Sequence, residues 1–194
     1  MNPRPYDLGR RRGQIDENRR RVVDAARALL AESTTYTAFT VDAVAKRADV
    51  ARATVYYQFG SKTGVLEALC DSLAKAGKMT ELASVFTDPD PRQALRGFIA
   101  AFARFWASDR LVMRRLRALA ALDPDVAAVI DARDERNRTG LEILVDRMAK
   151  HPNTTSAIDV TTVVQVSGLK QSTSSRTPLT ESKYRSQQVR SRPP

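Results

Sequence analysis

The sequence has few of the residues on which disulfide-bonded proteins and many enzymes depend. It contains one cysteine, Cys70, and one histidine, His151. No internal disulfide can form, and a reducing cytoplasm is the expected compartment. A single thiol and a single imidazole are too few for a zinc cluster or a thiol-protease dyad. Because the acidic residues also lie in no acid–base motif, we expect no enzyme activity, no metal and no cofactor.

Long apolar runs are also missing. No stretch reaches the roughly 18 apolar residues that a membrane-spanning helix needs, so no membrane partner is expected. The N-terminus has no apolar segment and does not read as a signal peptide. No strand pattern, repeat or glycine-rich phosphate loop occurs before residue 160. The 194 residues are 42% hydrophobic, which is enough to build the core of an all-α protein.

Positive charge is concentrated at the two ends of the chain. Residues 1–62 hold 12 Lys/Arg and 7 Asp/Glu, residues 63–160 hold 14 of each, and residues 161–194 hold 6 and 1. The net charge is therefore +5, zero and +5 in the three segments. A basic end on a neutral body indicates nucleic-acid binding. A membrane-surface role is disfavoured, because no basic amphipathic helix carries bulky apolar anchors.

Residues 40–66 predict two short helices joined by a tight turn, followed by a third helix. Thr40 is placed to cap the first helix with its hydroxyl. Asp49 falls at the turn, where a residue that tolerates a left-handed backbone is needed. A second helix is predicted over residues 51–59, and Ser61 then caps the next one. This arrangement is a helix–turn–helix.

The second of these helices has an exposed face whose side chains suit the DNA major groove. The residues on and around it are Arg52, Ala53, Thr54, Tyr56, Tyr57 and Gln58. The alternative is an ordinary surface helix with two half-buried tyrosines. Lys62 follows in the first turn of the next helix, where a cation opposes the helix dipole. An anion held by Lys62 and the helix amides would explain its position.

The spacing of a set of residues carries a family resemblance: Thr40, Asp42, Val44-Ala45, Ala48-Asp49-Val50, Thr54-Val55-Tyr56, Phe59 and Lys62. In this order they resemble the DNA-binding domain of TetR-type transcriptional regulators. The resemblance implies a ligand-responsive repressor that binds double-stranded DNA. It also implies that Thr40, Tyr56 and Lys62 contact phosphates. Arg52 and Tyr57 are the best candidates for base contacts, because of their place on the second helix. Four positions depart from the family pattern: Asp49 replaces Gly, Ala51 replaces Ser, Gln58 replaces His, and Thr63 replaces an acid.

The chain divides into four predicted segments. Residues 1–14 read as a flexible basic arm, either on DNA or simply solvated. Residues 15–62, which we call the head, hold a first helix from about Asp16 to Glu32 and the helix–turn–helix. Residues 63–160, which we call the body, hold further helices. Four helices are predicted there: one over 61–78, one over 91–107, one that begins at Asp109, and one over 124–150. Gly140 is predicted to bend the last of them.

In the family, the body holds a small-molecule effector and forms a homodimer. The apolar residues placed to line such a pocket here are Phe98, Phe102, Phe105, Trp106, Met113 and Leu116. The alternative for each of them is ordinary core.

Residues 161–194 do not continue the family pattern. Thr161–Val166 is rich in β-branched residues, and the rest is rich in Ser, Thr, Pro and basic residues, which is typical of disorder. A frameshift, a truncation and a genuine extension all remain open. Family members dimerise mainly through two helices from this part of the chain. Without them, a monomeric or heterogeneous protein that binds DNA non-specifically becomes the alternative function.

Overall fold

The computed structural model describes residues 8–32 and 39–150. These residues form eight α-helices and contain no β-strand, which confirms the all-α prediction. The helices are α1 (Leu8–Glu32), α2 (Val41–Ala48), α3 (Arg52–Phe59), α4 (Lys62–Ala76), α5 (Leu82–Thr87), α6 (Pro91–Ser108), α7 (Arg110–Ala120) and α8 (Pro124–Ala149). A 3-10 turn, Met79–Glu81, precedes α5.

The first three helices pack around one apolar stripe of α1. Val22 and Ala26 on that stripe are fully buried. Phe39 lies just before α2 and is also buried. Val44 of α2 and Val55 of α3 complete the contact, each 1% exposed. The helical spacing of these apolar residues allowed the helices of the head to be predicted from the sequence.

Helix α1 is longer than predicted. It begins at Leu8 rather than near Asp16, so residues 8–14 of the predicted flexible arm are helical. The glycines of this stretch and the prolines before it favoured a flexible arm. However, extending an existing helix adds a hydrogen bond for each residue fixed and needs no new nucleus. A hydrogen bond from Gln14 Nε2 to Asn18 Oδ1, 3.0 Å long, supports the added turn.

The short helix α5 was not predicted, and two glycines explain how it docks. A Cβ atom on Gly97 of α6 would lie 3.1 Å from Val85 of α5. A Cβ atom on Gly140 of α8 would lie 3.0 Å from the ring of Phe86. Six residues are too few to show a helical period in the sequence, and α5 is held by these contacts. Gly140, where a bend was predicted, lies within the uninterrupted helix α8, and the absence of a side chain there provides room for Phe86.

The buried apolar residues form two separate cores. The first core joins residues of α1–α4 with Val112, Leu116 and Leu119 of α7 and Val126 of α8. The second core is built from α6 and the C-terminal half of α8, and its members are Ala94, Leu95, Phe98, Phe102, Leu141, Leu144 and Met148. Trp106 of α6 packs against both. The head therefore shares its core with α7 and the start of α8, but not with the second core.

Aspartates cap three helices of the body. Asp90, Asp109 and Asp123 each accept a hydrogen bond from a backbone N–H of the first turn of α6, α7 and α8. No helix in residues 8–32 and 39–150 is long and apolar enough to cross a bilayer. The same residues contain no cluster of three potential metal ligands. The predicted tail at 161–194 and its consequences for dimerisation lie outside the described residues.

Candidate nucleic-acid interface

The turn between α2 and α3 has the geometry of a helix–turn–helix. The Thr40 hydroxyl accepts a 3.1 Å hydrogen bond from the N–H of Ala43, so it caps α2 as predicted. Asp49 ends α2 in the left-handed region, with φ 51° and ψ 52°. Arg21 of α1 donates to both the backbone carbonyl and the carboxylate of Asp49, at 3.0 and 3.1 Å. This bridge explains how an aspartate can occupy a position where glycine is usual, since the left-handed backbone gains a partner.

Two arginines of α1, Arg19 and Arg21, contact the helix–turn–helix. Besides Arg21, Arg19 lies over the ring of Phe59, 4.8 Å from its centroid. Arg20 forms an ion pair with Glu17 of its own helix. In the structure all three already have partners within the protein.

The exposed face of α3 presents two tyrosines to solvent. Tyr57 is 80% exposed and Tyr56 is 41% exposed. Ala53 is exposed beside them, and Thr54 is half-buried. Arg52 is held at the edge of this face by the carboxylate of Asp42, with Nε 3.1 Å from Oδ1. We call Arg52, Ala53, Tyr56 and Tyr57 the exposed α3 face.

Gln58 is half-buried and packs toward α1. Its Nε2 donates to the backbone carbonyl of Ile15 in α1, at 3.3 Å, and its Oε1 is buried without a partner among the described residues. Gln58 follows Tyr57 by 100° around the axis, which is enough to turn it toward α1. A DNA contact by Gln58 would require it to leave this position.

Lys62 forms an ion pair with a carboxylate of the protein itself. Its Nζ lies 2.6 Å from Oδ2 of Asp123, the residue that caps α8. This hydrogen bond holds the pKa of the Asp123 carboxyl below its ordinary value of 3.8. A lowered pKa means that the ion pair stabilises the fold at neutral pH. That stabilisation is lost only as the pH falls through the lowered value.

A second ion pair of the same kind joins the head to the body. Arg27 Nε of α1 lies 2.6 Å from Oδ2 of Asp109, which caps α7. Each of these two aspartates thus accepts hydrogen bonds from a backbone N–H at the start of a body helix and from a cationic side chain of the head. Neither pair could be found in the sequence, because the partners are far apart in the chain and no local pattern links them.

Comparison with known proteins agrees with this geometry. Residues 22–69 match the model described as bacterial regulatory proteins, tetR family. The head is a TetR-type DNA-binding domain. In fold, the chain is similar to a Clostridium perfringens putative fatty acid metabolism regulator, with a TM-score of 0.58 and 20% identity over 77% of this chain and 79% of that one. A search of curated proteins found no match.

The head thus matches the DNA-binding segment of a family of bacterial regulatory proteins. The body contains a cavity. The cavity has a volume of about 250 Å³ and lies between α4, α6, α7 and α8. Five of the six residues predicted for a pocket line it, namely Phe102, Phe105, Trp106, Met113 and Leu116. The sixth, Phe98, is fully buried in the second core and does not reach the cavity.

Polar residues that the sequence analysis missed also line the cavity. Asp134 is only 5% exposed and accepts two 2.9 Å hydrogen bonds from the guanidinium of Arg117. Arg133 Nη2 lies 2.5 Å from Oδ1 of Asp71. Cys70 also lines the cavity, and burial raises the pKa of its thiol to about 11. The thiol therefore stays protonated near neutral pH.

One experiment separates the two roles open to Lys62, phosphate contact and attachment to the body. An ammonium group has three donors, so it can bind Asp123 and a phosphate together. Asp123→Asn keeps an oxygen for the helix cap but removes the competing charge. The salt slope is the slope of log affinity against log salt concentration. We expect Asp123→Asn to raise the affinity for all DNA and to increase this slope, and Lys62→Ala to lower both. The slopes of the two variants should differ by about one unit per head, because one ammonium neutralises at most one phosphate.

The double variant Lys62→Ala, Asp123→Asn is the control. Its salt slope should equal that of Lys62→Ala, because the carboxylate can affect DNA only through the ammonium. The pair is partly exposed, so each variant should change the free energy of unfolding by about 1 kcal/mol or less. A salt slope that does not change in either single variant would remove Lys62 from the phosphate contacts.

Proposed function

We propose that this protein is a ligand-responsive repressor whose helix α3 reads operator DNA in the major groove. The observation that carries the proposal is the exposed α3 face, where Tyr57 is 80% exposed although tyrosine is usually half-buried or more. Such a face on the second helix of a helix–turn–helix matches the docking of known recognition helices. The charge of +5 on residues 1–62 supplies the attraction for phosphates.

The proposed DNA contacts fall into two groups, those to bases and those to phosphates. Arg52 and Tyr57 lie on the exposed α3 face and are proposed to contact base edges, with Ala53 and Thr54 beside them. Thr40, Tyr56 and Lys62 are proposed to contact phosphates. The Thr40 hydroxyl accepts from Ala43, which leaves its own proton free to donate to an anion.

The position of the cavity supports ligand response. The cavity lies along the boundary of the two cores, because Met113, Leu116 and Ile130 of its lining belong to the first core and Phe102 belongs to the second. The head is part of the first core. A ligand that fills the boundary fixes how the two cores sit together, and it can favour one orientation of the head over another. By reciprocity, DNA would change the affinity for that ligand by the same factor.

Selection of bound fragments from a random double-stranded library tests the DNA-binding part. A repressor should enrich one sequence and bind it at least about 1,000-fold more tightly than random DNA. The alternative, a basic protein that coats DNA, should show strong salt dependence with no enriched sequence. That result would leave the regulator without an operator and would contradict the proposal.

Tyr57→Ala should relax base preference at the selected operator. A base contact contributes about 1–3 kcal/mol of discrimination, so the ratio of operator to random binding should fall about tenfold while binding to random DNA stays constant. Ile143→Ala provides a matched control, since Ile143 is 50% exposed but lies on α8. Equal effects of the two variants on the ratio would exclude Tyr57 from base recognition.

A further inference from the structure

We infer that the cavity binds a small apolar compound that carries one negative charge. The inference rests on the proposed ligand-responsive function and names the chemical class of the effector. Three features of the cavity support it: its volume, the apolar wall contributed by α6 and α7, and the charges on α8.

The volume sets the size of the ligand. An apolar cavity of about 150 Å³ in another protein is known to hold benzene, which has six carbon atoms. In proportion, the 250 Å³ cavity accommodates about ten non-hydrogen atoms. This corresponds to a ring with a short side chain or to a medium-length hydrocarbon chain. A long acyl chain would exceed it.

The wall toward α6 and α7 is apolar and aromatic. Phe102 is 2% exposed and stacks at 4.7 Å on Phe98 behind it, so its ring is fixed. Phe105 and Trp106 form an edge-to-face pair beside it, with centroids 5.6 Å apart. Fixed aromatic walls bind an apolar group with little loss of side-chain entropy. The body of the ligand is placed here.

Of the charged residues that line the cavity, one cation has no anionic partner in the lining. Arg117 is neutralised by Asp134, and Arg133 is neutralised by Asp71. The remaining charged residue of the lining is Arg136, which is exposed and forms no ion pair within residues 8–32 and 39–150. Asn137 lies next to it in the lining and has an amide N–H₂ to donate. A carboxylate at this edge would neutralise Arg136, whereas an ammonium group would be repelled.

The chain provides two internal probes of the cavity. Its only tryptophan, Trp106, and its only cysteine, Cys70, both line it. Tryptophan fluorescence and the rate of thiol alkylation therefore each report on this one site. The ligands to test are 3-phenylpropanoate and octanoate, each with the alcohol and the primary amine of the same carbon skeleton, and palmitate as a long acid.

We expect the two short acids to change the fluorescence of Trp106 and to slow alkylation of Cys70. Their affinity should be at least tenfold higher than that of the matching alcohols, and the amines and palmitate should bind more weakly still. Arg136→Gln should weaken binding of the acids about five- to tenfold and leave the alcohols unchanged, because one charge-assisted contact is lost at a partly exposed site. Arg114→Gln is the control, since Arg114 is exposed on α7 and does not line the cavity.

Alcohols or amines that bind as tightly as the acids would overturn the inference. So would an Arg136→Gln variant that binds the acids normally, or short acids that affect neither probe. The effect on operator binding separates the inference from the proposed function. If the acids bind at Trp106 but operator affinity does not change, the ligand class stands and the ligand-responsive function fails. If only neutral compounds bind and release DNA, the function stands and the ligand class fails.

Discussion

Phe98→Ala is expected to lower the free energy of unfolding by about 3–5 kcal/mol. Phe98 is fully buried, lies edge-to-face to Phe86 at 6.4 Å and stacks on Phe102 at 4.7 Å. Its removal leaves a void in the second core, where α6 meets α8. Urea-induced unfolding followed by circular dichroism measures the loss. The sequence analysis counted Phe98 among the pocket residues, and a cost this large is what a pure core residue predicts.

Phe102→Ala is the matched comparison. Phe102 is equally buried, but part of its ring faces the cavity and already lacks packing partners there. The loss should therefore be smaller than for Phe98→Ala, by about 1 kcal/mol, since cost rises with the number of packing contacts removed. Equal losses in the two variants would mean that the cavity does not reach the Phe102 ring in solution.

Arg117→Met is expected to have a similarly large effect, about 3–5 kcal/mol, for an electrostatic reason. Asp134 is 5% exposed, and the two 2.9 Å hydrogen bonds from Arg117 are its compensation. Methionine fills much of the same space but leaves the carboxylate buried and unpaired. Arg117 also stacks over Trp106 at 4.8 Å, so the fluorescence of this tryptophan should change as well.

The double variant Arg117→Met, Asp134→Leu controls for the loss of packing. Replacing both members of a buried ion pair with apolar residues is often close to neutral, so the double variant should recover most of the stability lost in the single one. Unfolding of the four proteins of this cycle gives the coupling energy of the pair. A double variant as unstable as Arg117→Met would place the cost in packing and not in the unpaired charge.

The sequence alone predicted the parts of this protein that depend on neighbours in the chain. Thr40, Asp49 and Ser61 were assigned as a cap, a turn and a second cap, and the structure confirms each of them. A cap bonds to an amide two or three residues away, and a left-handed turn depends on the residue that occupies it. For the same reason the helix–turn–helix, and with it the TetR-type head, could be recognised without any tertiary contact.

The tertiary structure alone decided which charged and polar side chains form pairs. Lys62 pairs with Asp123 across 61 residues, Arg27 pairs with Asp109 across 82, and Gln58 turns toward α1 rather than outward. The partner of a charged side chain cannot be predicted from the sequence near it, because that partner is determined by how whole helices pack. The cavity arises in the same way. Its aromatic residues follow a helical period and were predicted, whereas Arg117 and Asp134 could be assigned to it only after α7 and α8 had been placed side by side.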